Sequence, residues 1–321
     1  MSPIRYPDRR SALGKVQGRV PRGFTLTELL VVVVILGMLA ALVLGALQAG
    51  RQSARVTRTK ATIAKLHNII MAQYESYRTR RVPVNTSGMT PPQAATARLA
   101  MLRAIMRLEM PERWTDVVFD PQNPLSNNPS LGRPQPNPGM LPGGPVPWPA
   151  AAQRYYRTYL RQFQQANGDF KVINENAPAE CLYLIVSASP EALAQFHENE
   201  IDDTDGDGLM EFVDGWGRPI YFLRWAPGFN DSDLQPNIPP LTPADAAKND
   251  HDPFDPHRAD GGAWRLVPLI YSAGPDGQYH VAFDSTGSAY VWNNDTYAQT
   301  FGAPTGSGFF DNIHNHRIEA Q

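Results

Sequence analysis

From Leu29 to Leu47 the sequence runs through Leu, Val, Ile, Met, Ala and Gly without a single charge, and Glu28 stands immediately before it. About 20 apolar residues are what an α-helix needs to cross the ~30 Å hydrocarbon layer of a bilayer. A run of this length therefore has to end in lipid or inside an assembly. Glu28 is the exception that constrains the reading. An ionisable residue at the bilayer centre costs ~2.5–3.5 kcal/mol on insertion scales, so it needs a partner or a use. Upstream, Arg5, Arg9, Arg10, Lys15, Arg19 and Arg22 face only Asp8, a bias that keeps the N-terminus cytoplasmic.

An ordinary secretory signal pairs such a basic segment with an apolar core of ~7–15 residues that ends in small residues at a cleavage site. The run here is longer, and Val43-Leu44-Gly45 matches that cleavage pattern poorly. A plain single-pass anchor explains the length but not Gly23-Phe24 or Glu28. The string Gly23-Phe24-Thr25-Leu26-Thr27-Glu28 resembles the cleavage and methylation motif of type IV prepilins and type II secretion pseudopilins, G-F-T-L-x-E. The resemblance implies cleavage between Gly23 and Phe24 by a prepilin peptidase and N-methylation of Phe24. It also implies that Glu28 neutralises the N-terminal ammonium of an adjacent subunit during assembly. Elementary electrostatics agrees with that role: a buried carboxylate and ammonium attract strongly only where they meet, which makes the pair a device for register more than for stability. Glu28 also lies in the first turn of the expected helix, where the macrodipole favours a negative charge.

The amphipathic pattern continues past the apolar run. Val56, Ile63, Leu66, Ile70, Tyr74 and Tyr77 recur at spacings near three, four and seven, with Arg51, Arg55, Arg58, Lys60 and Lys65 between them, which is one core-facing stripe. No proline intervenes between Phe24 and Pro83. One helix of about 58 residues, ~87 Å at 1.5 Å per residue, is expected, with Gly45 and Gly50 as places to bend. The organisation read from the sequence is a basic leader over 1–23 and an N-terminal helix over 24–82, membrane-spanning in 24–48 and amphipathic in 49–82. Inserted helices with a Pro-rich loop (121–149) follow over 83–180, and a sheet-containing head over 181–321.

Within the insertion, Pro91–Met110 and Ala150–Gln165 read as helices, the second carrying Tyr155, Tyr156, Tyr159 and Phe163 as core aromatics. Asp120–Pro149 has no periodicity and reads as a loop. Cys181–Ser187 is apolar enough for a buried strand or a buried helix end, and Pro190 opens a short helix. Pro219–Trp225, Leu266–Ser272 and Tyr279–Phe283 read as strands. The last two flank the turn Gly274-Pro275-Asp276-Gly277 as an expected hairpin, and Ala289–Trp292 is an expected edge. Helix first and strands last gives an α+β fold: a long N-terminal α-helical spine on a head with an antiparallel β-sheet and helical, Pro-rich insertions.

The chemistry-bearing candidate in the head is Asp203-Thr204-Asp205-Gly206-Asp207-Gly208-Leu209-Met210-Glu211-Phe212-Val213-Asp214. Acids at positions 1, 3, 5, 9 and 12 around a Gly at 6 reproduce the spacing of a twelve-residue Ca²⁺ loop, with Asp in place of Glu at 12. The expected oxygen donors are Asp203, Asp205, Asp207, Glu211 and Asp214 with the Leu209 carbonyl; the plainer reading is a solvated acidic turn. From there through Gly215-Trp216-Gly217-Arg218-Pro219, and again at Ser272-Ala273-Gly274-Pro275-Asp276-Gly277, the head is similar to pseudopilin G-type proteins. Gln278-Tyr279-His280-Val281-Ala282-Phe283-Asp284 then departs from that family's acidic loop, so Asp276 reads as a turn residue. Asp250–Asp260 mixes two His with four Asp and could hold a transition metal, but its prolines and lack of periodicity make it read as a solvated loop; His314 and His316 read as part of a polar tail.

The lone Cys181 excludes an intramolecular disulfide and sits in an apolar run, where it reads as a small buried hydrophobe. There is no G-x-S-x-G elbow and no P-loop, so an enzyme is not expected. The net charge of −2 falls to about −7 once the six basic residues and one acid of 1–23 are removed, which disfavours nucleic acid as a partner. The resemblance thus implies a structural subunit of a type IV pilus or type II secretion pseudopilus. Its partners would be other subunits, the prepilin peptidase/methyltransferase, the assembly platform and the bacterial inner membrane, with the head on the outer side. A DNA-holding minor pilin of a competence system and a single-pass membrane-anchored hydrolase are the alternatives.

Overall fold

A computed structural model describes residues 23–118, 144, 146–168, 175–282 and 301–317. The chain divides into two compact units, Met1–Arg51 and Gln52–Gln321. Helix α1, Leu26–Ser76, gives its first turns to one and the remainder to the other. In the first unit the large apolar side chains from Phe24 to Leu47 are exposed. Among the described residues, the helix beginning at Leu26 is the one long and apolar enough to cross a membrane.

The second unit is built on the amphipathic half of α1. The stripe expected from the spacing is the one that is buried: Ile63, Leu66 and Ile70 are fully covered, Tyr74 and Tyr77 nearly so, and Val56 packs at the edge. The helix passes into a short 3₁₀ turn at Tyr77–Thr79. Helix α2, Pro91–Glu109, starts where Pro91 needs no N–H partner and the Gln93 side chain accepts the Thr90 N–H at 2.9 Å. Met101, Leu102, Ile105 and Met106 of α2 join the α1 stripe in the main core. Helix α3, Ala150–Gln165, buries Tyr155 and Tyr159 against Trp114 in a second core, so the aromatic row is packing.

The apolar run around Cys181 is a helix, α4 (Ala177–Val186), and Cys181 is fully buried in it. A four-residue α5, Pro190–Leu193, follows, capped by the Ser189 hydroxyl. Strands β1 (Ile201–Asp202) and β2 (Glu211–Phe212) pair antiparallel around the acidic loop. A three-stranded antiparallel sheet is ordered β3 (Tyr221–Leu223), β4 (Leu269–Ser272) and β5 (Ile313–His314). Its register places Phe222 opposite Ile270 and Tyr271 opposite His314. Helix α6, Pro243–Asn249, lies in the connection between β3 and β4. The fold is α+β.

Three expectations are corrected. Among the described residues, the hairpin joining Leu266–Ser272 to the segment from Tyr279 does not form. β4 pairs instead with β3 and β5, remote in sequence, while Val281 bridges Pro304. The edge expected at Ala289–Trp292, like most of the Pro-rich loop over 121–149, lies outside the described residues. His314 and His316 are not in a polar tail: both are about 1% exposed. Burial holds His316 down to about 3 and His314 to about 4, so both are neutral at physiological pH. Nor is the Asp250–Asp260 segment a solvated loop: Asp252 and Asp255 are buried, and Arg103 reaches Asp252 at 3.0 Å and Asp260 at 2.9 Å.

Candidate functional site

At the start of α1, Thr25 and Glu28 cap each other. Glu28 Oε2 accepts the Thr25 N–H and hydroxyl, each at 2.9 Å, and the Thr25 hydroxyl accepts the Glu28 N–H at 3.2 Å. This reciprocal arrangement satisfies donors that a helix N-terminus otherwise leaves open. Gly23 and Phe24 precede the helix and are exposed. The local sequence therefore places the Gly23-Phe24 junction, a capping box and an uninterrupted apolar stretch in consecutive positions.

Comparison with known proteins fits that arrangement. Residues 19–44 match the family described as the prokaryotic N-terminal methylation motif. The chain carries the N-terminal methylation motif of type IV pilin-like proteins. No curated protein and no solved structure matches it. The motif and the apolar helix together support anchoring in the inner membrane and interaction with other pilin subunits and with prepilin peptidase.

The amphipathic half of α1 is fixed to the head by polar contacts around its buried stripe. Thr62 donates to Glu200 at 2.5 Å, and Lys65 pairs with the same carboxylate at 2.8 Å. The Gly215 N–H donates to the Thr59 hydroxyl at 2.8 Å, and Trp216 Nε1 donates to Gln52 at 3.3 Å. Gly215 has to be glycine because a Cβ there would lie 2.7 Å from Arg55 Cα and 2.8 Å from the Arg55 carbonyl carbon. The Trp216-Gly217 turn thus packs directly on the helix backbone.

The acidic loop is positioned between β1 and β2, with left-handed Gly206 (φ 79°) and Gly208 (φ 88°) providing its sharp reversals. Asp203 organises the loop: its two oxygens accept the Gly206 N–H at 2.8 Å and the Gly208 N–H at 3.0 Å. The carboxylates of Asp203, Asp205 and Asp207 approach within 4.8 Å of one another, and those of Glu180, Asp205 and Glu211 do the same. Asp205 belongs to both sets. Glu180, from the first turn of α4, is a member that the sequence spacing missed. Its signal was faint: one acid at the head of an otherwise apolar helix.

Asp214 is not with them. Its Oδ1 accepts the N–H groups of Trp216 (2.8 Å) and Arg218 (3.0 Å), and its Oδ2 accepts the Ser272 hydroxyl at 2.6 Å. The twelve-residue count therefore fails at its last position. β2 carries the chain away after Glu211, and Asp214 instead secures the Trp216-Gly217 turn to β4. Leu209 contributes its side chain to the second core beside Trp114, and its N–H to Asp207 Oδ1 at 2.7 Å. Asp276 is a turn residue, accepting the Gln278 N–H at 2.8 Å and facing His280 at 3.0 Å.

Burial and mutual repulsion set the electrostatics of the cluster. Burial lifts Glu211 to about 8 and Asp207 to about 6, with neighbouring aspartates adding to both. Asp205 is raised by burial and then by Asp203; Glu180 lies well above the usual carboxylate range through burial and then Asp207. Oxygen-rich, cation-poor and partly desolvated, the arrangement is suited to a hard cation rather than to proton transfer on a substrate.

Proposed function

We propose that this chain is a structural subunit of a type IV pilus or type II secretion pseudopilus, made as a prepilin and assembled through α1. The match of residues 19–44 to the methylation motif, on a helix whose large apolar side chains from Leu26 to Leu47 are exposed, carries this reading. Cleavage after Gly23 leaves Phe24 as the mature, methylated N-terminus, with the basic leader on the cytoplasmic side and the head across the membrane. In that topology α1 has two environments in succession: lipid, then the apolar core of a filament.

Glu28 has a use in each state. In the isolated subunit the Thr25 capping contacts keep the carboxylate hydrogen-bonded. In the filament the ammonium of a neighbouring Phe24 takes up its charge, and a subunit out of register leaves both charges desolvated and apart. The role is mechanical rather than catalytic, and the charge of about −7 on the mature chain sets it apart from a DNA-holding subunit. Co-expression of the full chain with a prepilin peptidase tests the reading by intact mass. The expected product lacks residues 1–23 and carries one methyl group on Phe24. A chain that stays uncut, or is cut after Gly45, overturns it.

A further inference from the structure

We propose that Asp205, Asp207 and Glu211 of the acidic loop, together with Glu180 of α4, form a single Ca²⁺ site that ties the inserted helices to the β1–β2 loop. The site differs from the loop read by spacing alone: Asp214 is excluded, Asp203 is a scaffold, and Glu180 is recruited from outside the loop.

The buried oxygens carry the inference. Glu180 Oε1, Glu211 Oε1 and Asp207 Oδ2 have no hydrogen-bond partner, and Glu180 and Glu211 are 1% and 0% exposed. Their remaining oxygens are occupied. Glu180 Oε2 accepts from Trp114 Nε1, Glu211 Oε2 accepts the Thr204 N–H, and Asp207 Oδ1 accepts the Leu209 N–H. Each side chain is thus oriented by one oxygen and left with one bare oxygen. Gln162 of α3 repeats the pattern, donating through Nε2 to the Gly208 carbonyl at 2.8 Å with a buried Oε1 left over.

A bare carboxylate oxygen away from water must be neutralised by a proton or a cation. Oxygens of Glu180, Asp205 and Glu211 lie within 4.8 Å of one another, and so do those of Asp203, Asp205 and Asp207. Ca²⁺ can bridge such a set: with metal–oxygen distances of about 2.3–2.6 Å, ligands on opposite sides of the ion lie up to nearly 5 Å apart. The donors are all hard oxygens, which excludes a thiolate- or imidazole-seeking metal. Mg²⁺ demands a tighter octahedron at about 2.0–2.1 Å and gives up its waters reluctantly. The second core lies alongside, since Trp114, Ala177 and Leu209 pack together there. The ion would therefore fasten α3, α4 and the β1–β2 loop at one point, independently of whether the chain enters a filament.

The test uses the detergent-solubilised full chain, stripped with chelator and titrated with CaCl₂ by calorimetry and thermal unfolding. Expected are one Ca²⁺ per chain, a higher Tm in 5 mM Ca²⁺ than in chelator, and little effect of equimolar Mg²⁺. Asp205→Asn and Glu180→Gln should each weaken binding at least tenfold, while Glu198→Gln, an exposed acid nearby in sequence, should not. Tb³⁺ provides a readout that does not depend on stability: bound at the site, it should luminesce on excitation of Trp114, and excess Ca²⁺ should quench the signal. Identical melting with Ca²⁺ and chelator and no binding heat overturn the proposal. So does Ca²⁺ binding that survives undiminished in both Asp205→Asn and Glu180→Gln.

Discussion

Arg224→Met is the substitution with the largest calculable consequence for the head. Arg224 is fully buried just after β3. Its guanidinium lies 3.1 Å from Asp116 and 3.4 Å from Glu112, and its own N–H donates to Glu112 at 2.7 Å. It also donates to the Arg107 and Met110 carbonyls at the end of α2, and stacks 4.4 Å from the Trp225 ring centre. Methionine keeps much of the volume but strands two buried carboxylates and those carbonyls. Removing one partner of a buried ion pair costs about 3–5 kcal/mol. No solvent discount applies, since Glu112 and Asp116 are 0% and 3% exposed. For a unit of this size that is a drop in Tm of about 6–20 °C. Thermal and urea unfolding of the full chain in detergent, followed by near-UV circular dichroism, measures it. The triple substitution with Glu112→Gln and Asp116→Asn should recover a large part of the loss, because no bare charge then remains. A loss below about 1 kcal/mol for Arg224→Met alone would refute the reasoning. It would mean that Arg113, 3.9 Å from Glu112, neutralises the carboxylates without Arg224.

Two further outcomes follow from the docking of α1 and from the acidic cluster. Gly215→Ala drives a methyl against the Arg55 backbone, which cannot yield as a side chain tip can, at a cost of about 1–3 kcal/mol. Hydrogen exchange over residues 52–63 should accelerate, and unchanged protection there would contradict the close approach. In chelator, stability should fall as pH rises from 6.5 to 8. Glu211 titrates at about 8 in the folded chain against 4.5 in its ordinary state, so the folded form holds the extra proton; the resulting stabilisation is complete below 4.5 and lost as pH passes through 8. Glu211→Gln should flatten that slope, and an unchanged slope would place the titration elsewhere.

The parts of this account that were legible in the sequence are those whose signals are local. Gly23-Phe24 and Glu28 form a contiguous motif, and the α1 stripe from Ile63 to Tyr77 is a periodicity that survives folding because one face of one helix meets the core. The Asp203–Asp207 cluster was visible for the same reason, since its members lie within one turn. Glu180 was not, because nothing in Ala177–Val186 distinguishes an acid aimed into a cluster from an acid favoured at a helix N-terminus. Spacing alone groups Asp214 with the loop acids because it does not reveal that β2 intervenes. The pairing of β4 is hidden for a related reason. The turn at Gly274–Gly277 is a strong local signal, but β3 and β5 offer β4 buried partners on both edges, and the sheet follows those. The burial of His314 and His316 depended on that same long-range pairing.

The central claim is that α1 assembles subunits through Glu28, and the most direct measurement is subunit content of sheared filaments from a host carrying Glu28→Ala. The substitution removes a charge that membrane insertion disfavours, so membrane fractions should contain processed, inserted protein in at least wild-type amount. The filament fraction should contain none of it. Glu28→Ala subunits recovered in filaments at the wild-type level would contradict the account.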